Sequence, residues 1–195
     1  MAPGNAIPSA KSVFLNHPYD ERYVPLADAL VFAVVCCGFV PRSARESGTV
    51  AVPRMERIVG ALRASRYSIH DLSRWNRFNL PLELGIAMAL RHLRAERRDA
   101  HDWLLLVAGG RSFRRFVSDL AGFDPEVHDQ TAETLVPKVI AWLANRTPLR
   151  TPTPQTVLAK LPAFQAAKRC LAAEWKGAVP WRHLLAAAEE VAKEV

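Results

Sequence analysis

Four short apolar runs, each followed by a stretch long enough for a helix, constrain this chain more than any other feature. The runs are Ser12–Asn16, Phe39–Arg42, Tyr67–Asp71 and Trp103–Val107. They are rich in β-branched, aromatic and aliphatic residues and read as buried strands. Between and after them the spacing predicts helices over 21–37, 53–65, 81–95, 112–121 and 131–145. Strands that alternate with helices build a mainly parallel sheet covered on both faces. The expectation is an α/β fold with four to five strands flanked by helices.

Local punctuation fits that plan. Asp20 is placed as the N-cap of the first helix and Gly38 as its stop, while Pro53 suits the first turn of the second. Residues 1–11 read as a flexible leader. Thr147–Pro154 is a proline-threonine linker of extended character. Beyond it, helices over 155–174 and 180–194 form a C-terminal appendage. That appendage either packs on the domain, makes a homo-oligomer or meets a partner protein.

The chain has 195 residues, half of them hydrophobic, enough for one substantial core. Its formal charge of +7 favours anionic partners. No basic arm interleaved with aromatics is present, so nucleic acid is not the expected partner. The longest apolar run, Val24 to Val40, is broken by Pro25, Asp28 and Gly38, which predicts a core helix rather than a membrane span. The start lacks the basic and apolar regions of a secretory signal. Cys36, Cys37 and Cys170 make neither a zinc pattern nor a disulfide framework, which suits a reducing cytoplasm.

In open α/β sheets, ligands bind beyond the carboxyl ends of the strands. Two carboxylates are expected there. Asp71 ends the third strand, and Glu83 opens the helix that follows, in its first turn. A desolvated glutamate matches a developing oxocarbenium ion, and a carboxylate pair is the usual equipment for breaking a glycosidic bond. Each also has a plain structural reading, Glu83 as a helix-start residue and Asp71 as a turn-former. His70 should point to the other side of the strand from Asp71, as a satisfied core histidine.

Ser73, Arg74, Arg77 and Asn79 fill the loop between the carboxylates and suit phosphate and ribose hydroxyls. Asn16 from the first strand, and Arg42 and Ser43 from the second, are expected at the same edge, with Arg42 as a phosphate anchor. Trp75 on the loop is placed to stack on a base. No GxGxxG or GxxxxGK sequence exists, and the histidines show no metal-ligand spacing. No metal or resident cofactor is expected.

The segments Val13–Asp20, Gly38–Arg42, Arg54–Ile58, Tyr67–Arg74 and Arg77–Gly85, taken together, resemble a group of bacterial proteins with TIR-like and nucleoside 2-deoxyribosyltransferase-like folds. The resemblance covers about residues 12–145 and implies a flavodoxin-like or TIR-like domain. It implies that Glu83 works at the ribose C1′ carbon and that Asp71 contacts the sugar or base. It puts Arg42 and Ser43 where ribose or phosphate is held. Deoxyribosyltransferases carry a Gly-Thr pair shortly before the glutamate, where this chain has Asn79-Leu80-Pro81.

The leading expectation is an N-glycosidase-type enzyme that cleaves the base–ribose bond of NAD or a related nucleotide, consumed as substrate. A bacterial defence role would fit such an activity. One alternative is a TIR-like module that senses a nucleotide or self-assembles without turnover. Another is deoxyribosyl transfer or deoxynucleotide hydrolysis, with the same glutamate and a different acceptor.

Overall fold

Five strands form one sheet in a computed structural model that describes residues 9–46, 51–74, 77–93, 100–109, 120 and 122–195. They are β1 (Ser9–Asn16), β2 (Val40–Arg42), β3 (Ser65–Asp71), β4 (Asp102–Ala108) and β5 (Glu126–His128). Their order is β2-β1-β3-β4-β5 and every neighbouring pair is parallel. This is the doubly wound order of flavodoxin-like sheets. The chain runs outward from β1 to β2 and then returns to the other side of β1. A crevice therefore opens at the carboxyl ends of β1 and β3.

Strand alternation sorts the side chains into two layers. Val13, Leu15, Ile69, Leu104 and Leu106 face one side, where they meet α1 (Val24–Cys36) and α4 (Ala132–Ala144). Phe14 and Leu105 face the other, towards α2 (Arg54–Ala64) and α3 (Asn79–Leu93). Helix α1 is buried without interruption from Asp28 to Val34. A helix apolar all round has to be covered on every side. The covering is completed by α5 (Pro154–Glu174) and α6 (Trp181–Ala192).

Val157, Leu161, Phe164 and Ala188 from these last helices belong to the same cluster as α1 and the sheet. The Phe164 ring stacks on Phe32 with centroids 5.2 Å apart. The C-terminal helices thus pack on the sheet domain, the first of the three placements open to them in the sequence. Burying a phenylalanine this fully stabilises by about 2–3 kcal/mol.

Several expectations need adjusting. β1 begins at Ser9, where it pairs with Ser65, so residues 9–11 are strand and not leader. Asp20 precedes a short 3-10 turn (Glu21–Tyr23) but makes no side-chain cap, because its carboxylate is held by Arg74 at 3.1 Å. Pro53 is the N-cap of α2 and not its first residue. Gly38 does stop α1, with φ +76 and its N–H on the Val35 carbonyl. The helix expected over 112–121 lies outside the described residues apart from Leu120, as do Trp75 and residues 1–8. No described helix is long and apolar enough to cross a membrane.

Candidate functional site

A cleft of about 420 Å³ opens at the carboxyl ends of β1 and β3. Its walls come from three places. The loop after β1 supplies His17 and Tyr19, the start of α2 supplies Arg54, and the start of α3 supplies Arg77, Asn79 and Glu83. Met55, Ile58 and Leu80 add apolar surface. Two helix N-termini thus border the cleft, and free N–H groups at such ends favour an anion.

Glu83 is the carboxylate in this wall. It is only 2% exposed, and Asn79 Nδ2 donates to its Oε1 at 3.4 Å. Burial raises its pKa above the ordinary glutamate value, against the pull of the Asn79 hydrogen bond and the Arg54 charge. The first-turn placement expected for it does not hold. Leu80 N–H bonds the Arg77 carbonyl at 3.1 Å and α3 begins at Asn79, so Glu83 sits in the second turn. Pro81 tolerates this start because the early N–H groups of a helix have no internal partner. The apolar setting is one-sided too, since Leu84 is buried and Leu82 is exposed. Gly85 faces open space, with nothing close enough to require a glycine.

Asp71 does not join Glu83. Alternation turns it to the α1 side of the sheet, whereas α3 covers the opposite side. There it is fully buried in a network of its own. Tyr23 donates its phenolic hydrogen to Oδ2, His128 Nε2 donates to the same oxygen at 2.9 Å, and Ser73 N–H donates to Oδ1 at 2.8 Å. Gln130 N–H donates to His128 Nδ1 at 3.1 Å, which leaves the Nε2 hydrogen for the aspartate. Burial works against the charge on Asp71. The bonds from His128, Ser73 and Tyr23 outweigh it and hold the pKa below the usual carboxylate value. This is the anchoring role of a strand-end aspartate. Nothing of it is presented to a ligand in the cleft.

The other expected residues separate in the same way. Arg77 and Asn79 line the cleft. Asn16 lies beneath it, buried, with Nδ2 donating to His70 Nδ1 and to the Leu80 carbonyl, both at 2.9 Å. Ser73 belongs to the Asp71 network, its hydroxyl 3.1 Å from His128 Nε2. Arg74 is paired with Asp20, and Arg42 with Glu46 at 2.6 Å, so neither is an unpaired phosphate anchor. Ser43 is buried beside the Tyr19 hydroxyl in an adjoining cavity. His70 is a core residue, as expected: its Nε2 donates to Ser68, whose hydroxyl in turn reaches His101 at 2.8 Å. Burial lowers the His70 pKa to about 3.

Three cleft residues escaped the sequence reading as site residues. His17 donates from Nδ1 to the Pro18 carbonyl at 2.8 Å and stacks on Tyr23 at 5.4 Å. Burial lowers its pKa to about 4, so it is a neutral imidazole at ordinary pH. Tyr19 carries the Arg54 guanidinium over its ring at 5.6 Å. Position after the first strand was the available signal for His17 and Tyr19. Arg54 gave none, because it arrives from a helix start on the far side of a long loop. Among the described residues no group of three His, Cys, Asp or Glu side chains is arranged to hold a metal ion.

Fold and cleft define a class: a doubly wound parallel α/β protein with a cleft at its switch point and a buried glutamate in the wall. Comparisons with protein-family models, with curated proteins and with solved structures found no match.

Proposed function

We propose that this protein is an N-glycosidase-type enzyme that cleaves the base–ribose bond of NAD or a related nucleotide, with Glu83 as the reacting carboxylate. The observation that carries the reading is a desolvated glutamate in a switch-point cleft whose mouth holds two arginines, Arg54 and Arg77. Cleavage of a glycosidic bond builds positive charge on the ribose ring carbon and oxygen. A carboxylate stripped of water stabilises that charge more than a hydrated one, or attacks C1′ directly. Arg54, Arg77 and the two helix N-termini supply the positive field for phosphates. His17, neutral and within the same wall, offers an acceptor for a ribose hydroxyl. Hydrolysis and transfer to another base differ only in the acceptor.

A second reading, a nucleotide-binding module without turnover, draws on one observation. Asp71 lies on the far side of the sheet, so among the described residues one carboxylate lines the cleft and not the pair that most glycosidases use. The test is base release from a panel of NAD, nucleotides and deoxynucleosides, followed by chromatography at high protein concentration beside Glu83→Gln. Release of a base that falls roughly 100-fold or more in the variant supports catalysis by Glu83. Nucleotide binding without any release gives the second reading.

A further inference from the structure

A second cavity, of about 180 Å³, adjoins the cleft. It lies between α1, the residues after β2 and the two C-terminal helices. His17, Pro18 and Tyr19 line both spaces, so one short stretch of main chain is the partition between them. Two guanidinium groups converge on that partition. Arg45 Cζ lies 4.7 Å, and Arg54 Cζ 5.6 Å, from the centroid of the Tyr19 ring. Arg45 lines the second cavity and Arg54 the cleft. Arg42 and Arg74 are held by Glu46 and Asp20, but no carboxylate among the described residues pairs with Arg45 or Arg54.

We infer that the cleft and this cavity are two compartments of one site, which takes a two-headed ligand whose pyrophosphate crosses Tyr19 between Arg45 and Arg54. The inference rests on the nucleotide reading of the cleft. A pyrophosphate presents several anionic oxygens over a short span, and two guanidinium forks gathered at one ring give it a donor on either side. The second cavity combines apolar walls with polar and charged side chains, which suits a flat ring that carries its own donors and acceptors. Ala27, Val31 and Leu184 give it apolar walls, and its size suits one bicyclic ring.

Trp181 lines it as well, and its indole N–H is already spent on the Pro41 carbonyl at 3.3 Å, which leaves the ring itself for contact. Asp28, held in place by Lys168 of α5, presents a carboxylate that accepts from an exocyclic amino group. The C-terminal helices are on this account part of the ligand site, and the chain holds both ends of its ligand without help from a second copy.

The experiment is calorimetric titration of the full chain, in the Glu83→Gln background to prevent turnover, with NAD and nicotinamide mononucleotide as probes. NAD is expected to bind about tenfold or more tightly than the mononucleotide. Arg45→Gln, at an exposed position, and Ala172→Leu, which narrows the second cavity from α5, are each expected to weaken NAD about tenfold. Neither should change the mononucleotide. Equal affinity for the two probes, equal losses on both in the variants, or no binding of either overturns the two-compartment site. Base release by the unmutated enzyme separates this inference from the glycosidase reading. Turnover without NAD preference sinks only the two compartments, and NAD-selective binding without turnover sinks only the catalysis.

Discussion

Asn16, at the end of β1, donates a hydrogen bond from Nδ2 to the main-chain carbonyl of Leu80 at 2.9 Å and so ties the sheet to the first turn of the helix that carries Glu83. A carbonyl only accepts, which fixes the amide with its nitrogen towards α3. The second amide hydrogen goes to His70. Asn16→Ala removes both bonds and leaves a buried ring nitrogen without its donor. Denaturant unfolding should show a loss of about 1–3 kcal/mol, and ligand binding in the cleft should weaken as the start of α3 loosens.

Glu83 makes the pH dependence specific. Its carboxyl is raised by burial, so the folded state binds the proton more tightly than the unfolded chain does. Folding stability linked to this group is therefore greatest at low pH and declines as pH rises from the ordinary value, 4.5, through the raised one. Glu83→Gln has no such decline. The variant should gain stability relative to the unmutated protein as pH rises from 4.5 through the raised value, and thermal melts across that rise read the difference directly. If the ionised form is the working one, the acid limb of kcat/KM lies above the usual glutamate range.

Asp71 follows the opposite sign. Its pKa is held below 3.8, so its contribution is complete above that value and lost as pH falls through the depressed one. Asp71→Asn replaces a charged acceptor of three hydrogen bonds with an amide that cannot accept them all. The expected cost is roughly 3 kcal/mol. Below the melting temperature, KM for any substrate of the cleft should stay unchanged, since Asp71 lies on the other side of the sheet. A raised KM with an unchanged melting temperature would place Asp71 in the site after all.

Phe164 tests the union of the two parts of the chain. Phe164→Ala should lower stability by about 3–5 kcal/mol and leave a single cooperative transition. Two separate transitions would mean that the C-terminal helices melt on their own.

The thiols offer a simpler check. Burial pushes Cys36 and Cys37 up to about 12, whereas Cys170 is exposed. An aromatic disulfide reagent should modify one thiol quickly in the native protein and all three after unfolding.

Much of this architecture was legible in the chain because buried strands and helix stops are local signals. Gly38 ends its helix, and the four apolar runs fall on β1 to β4. β5 was not legible: Glu126–His128 has one apolar residue between two polar ones, with no apolar run to mark it, and it is a strand only because β4 lies beside it. The placement of Asp71 failed for a related reason. Its position at a strand end was correct, but its partner His128 is 57 residues away in sequence. The face of the sheet that α3 covers follows from chain topology and not from any local residue pattern, and it divides the two carboxylates. Arg54 and Arg45 approach Tyr19 across long intervals, which no local pattern announces.

Helix α1 sits between the sheet and the C-terminal pair, buried from Asp28 through Val34. Over that span every residue is buried, so its amides meet solvent chiefly when one of the flanking layers lifts away. It is therefore expected to exchange most slowly among the described helices. A ligand that bridges Tyr19 and α5 would slow it further, which makes the exchange of a segment outside the cleft a reporter of what the cleft holds.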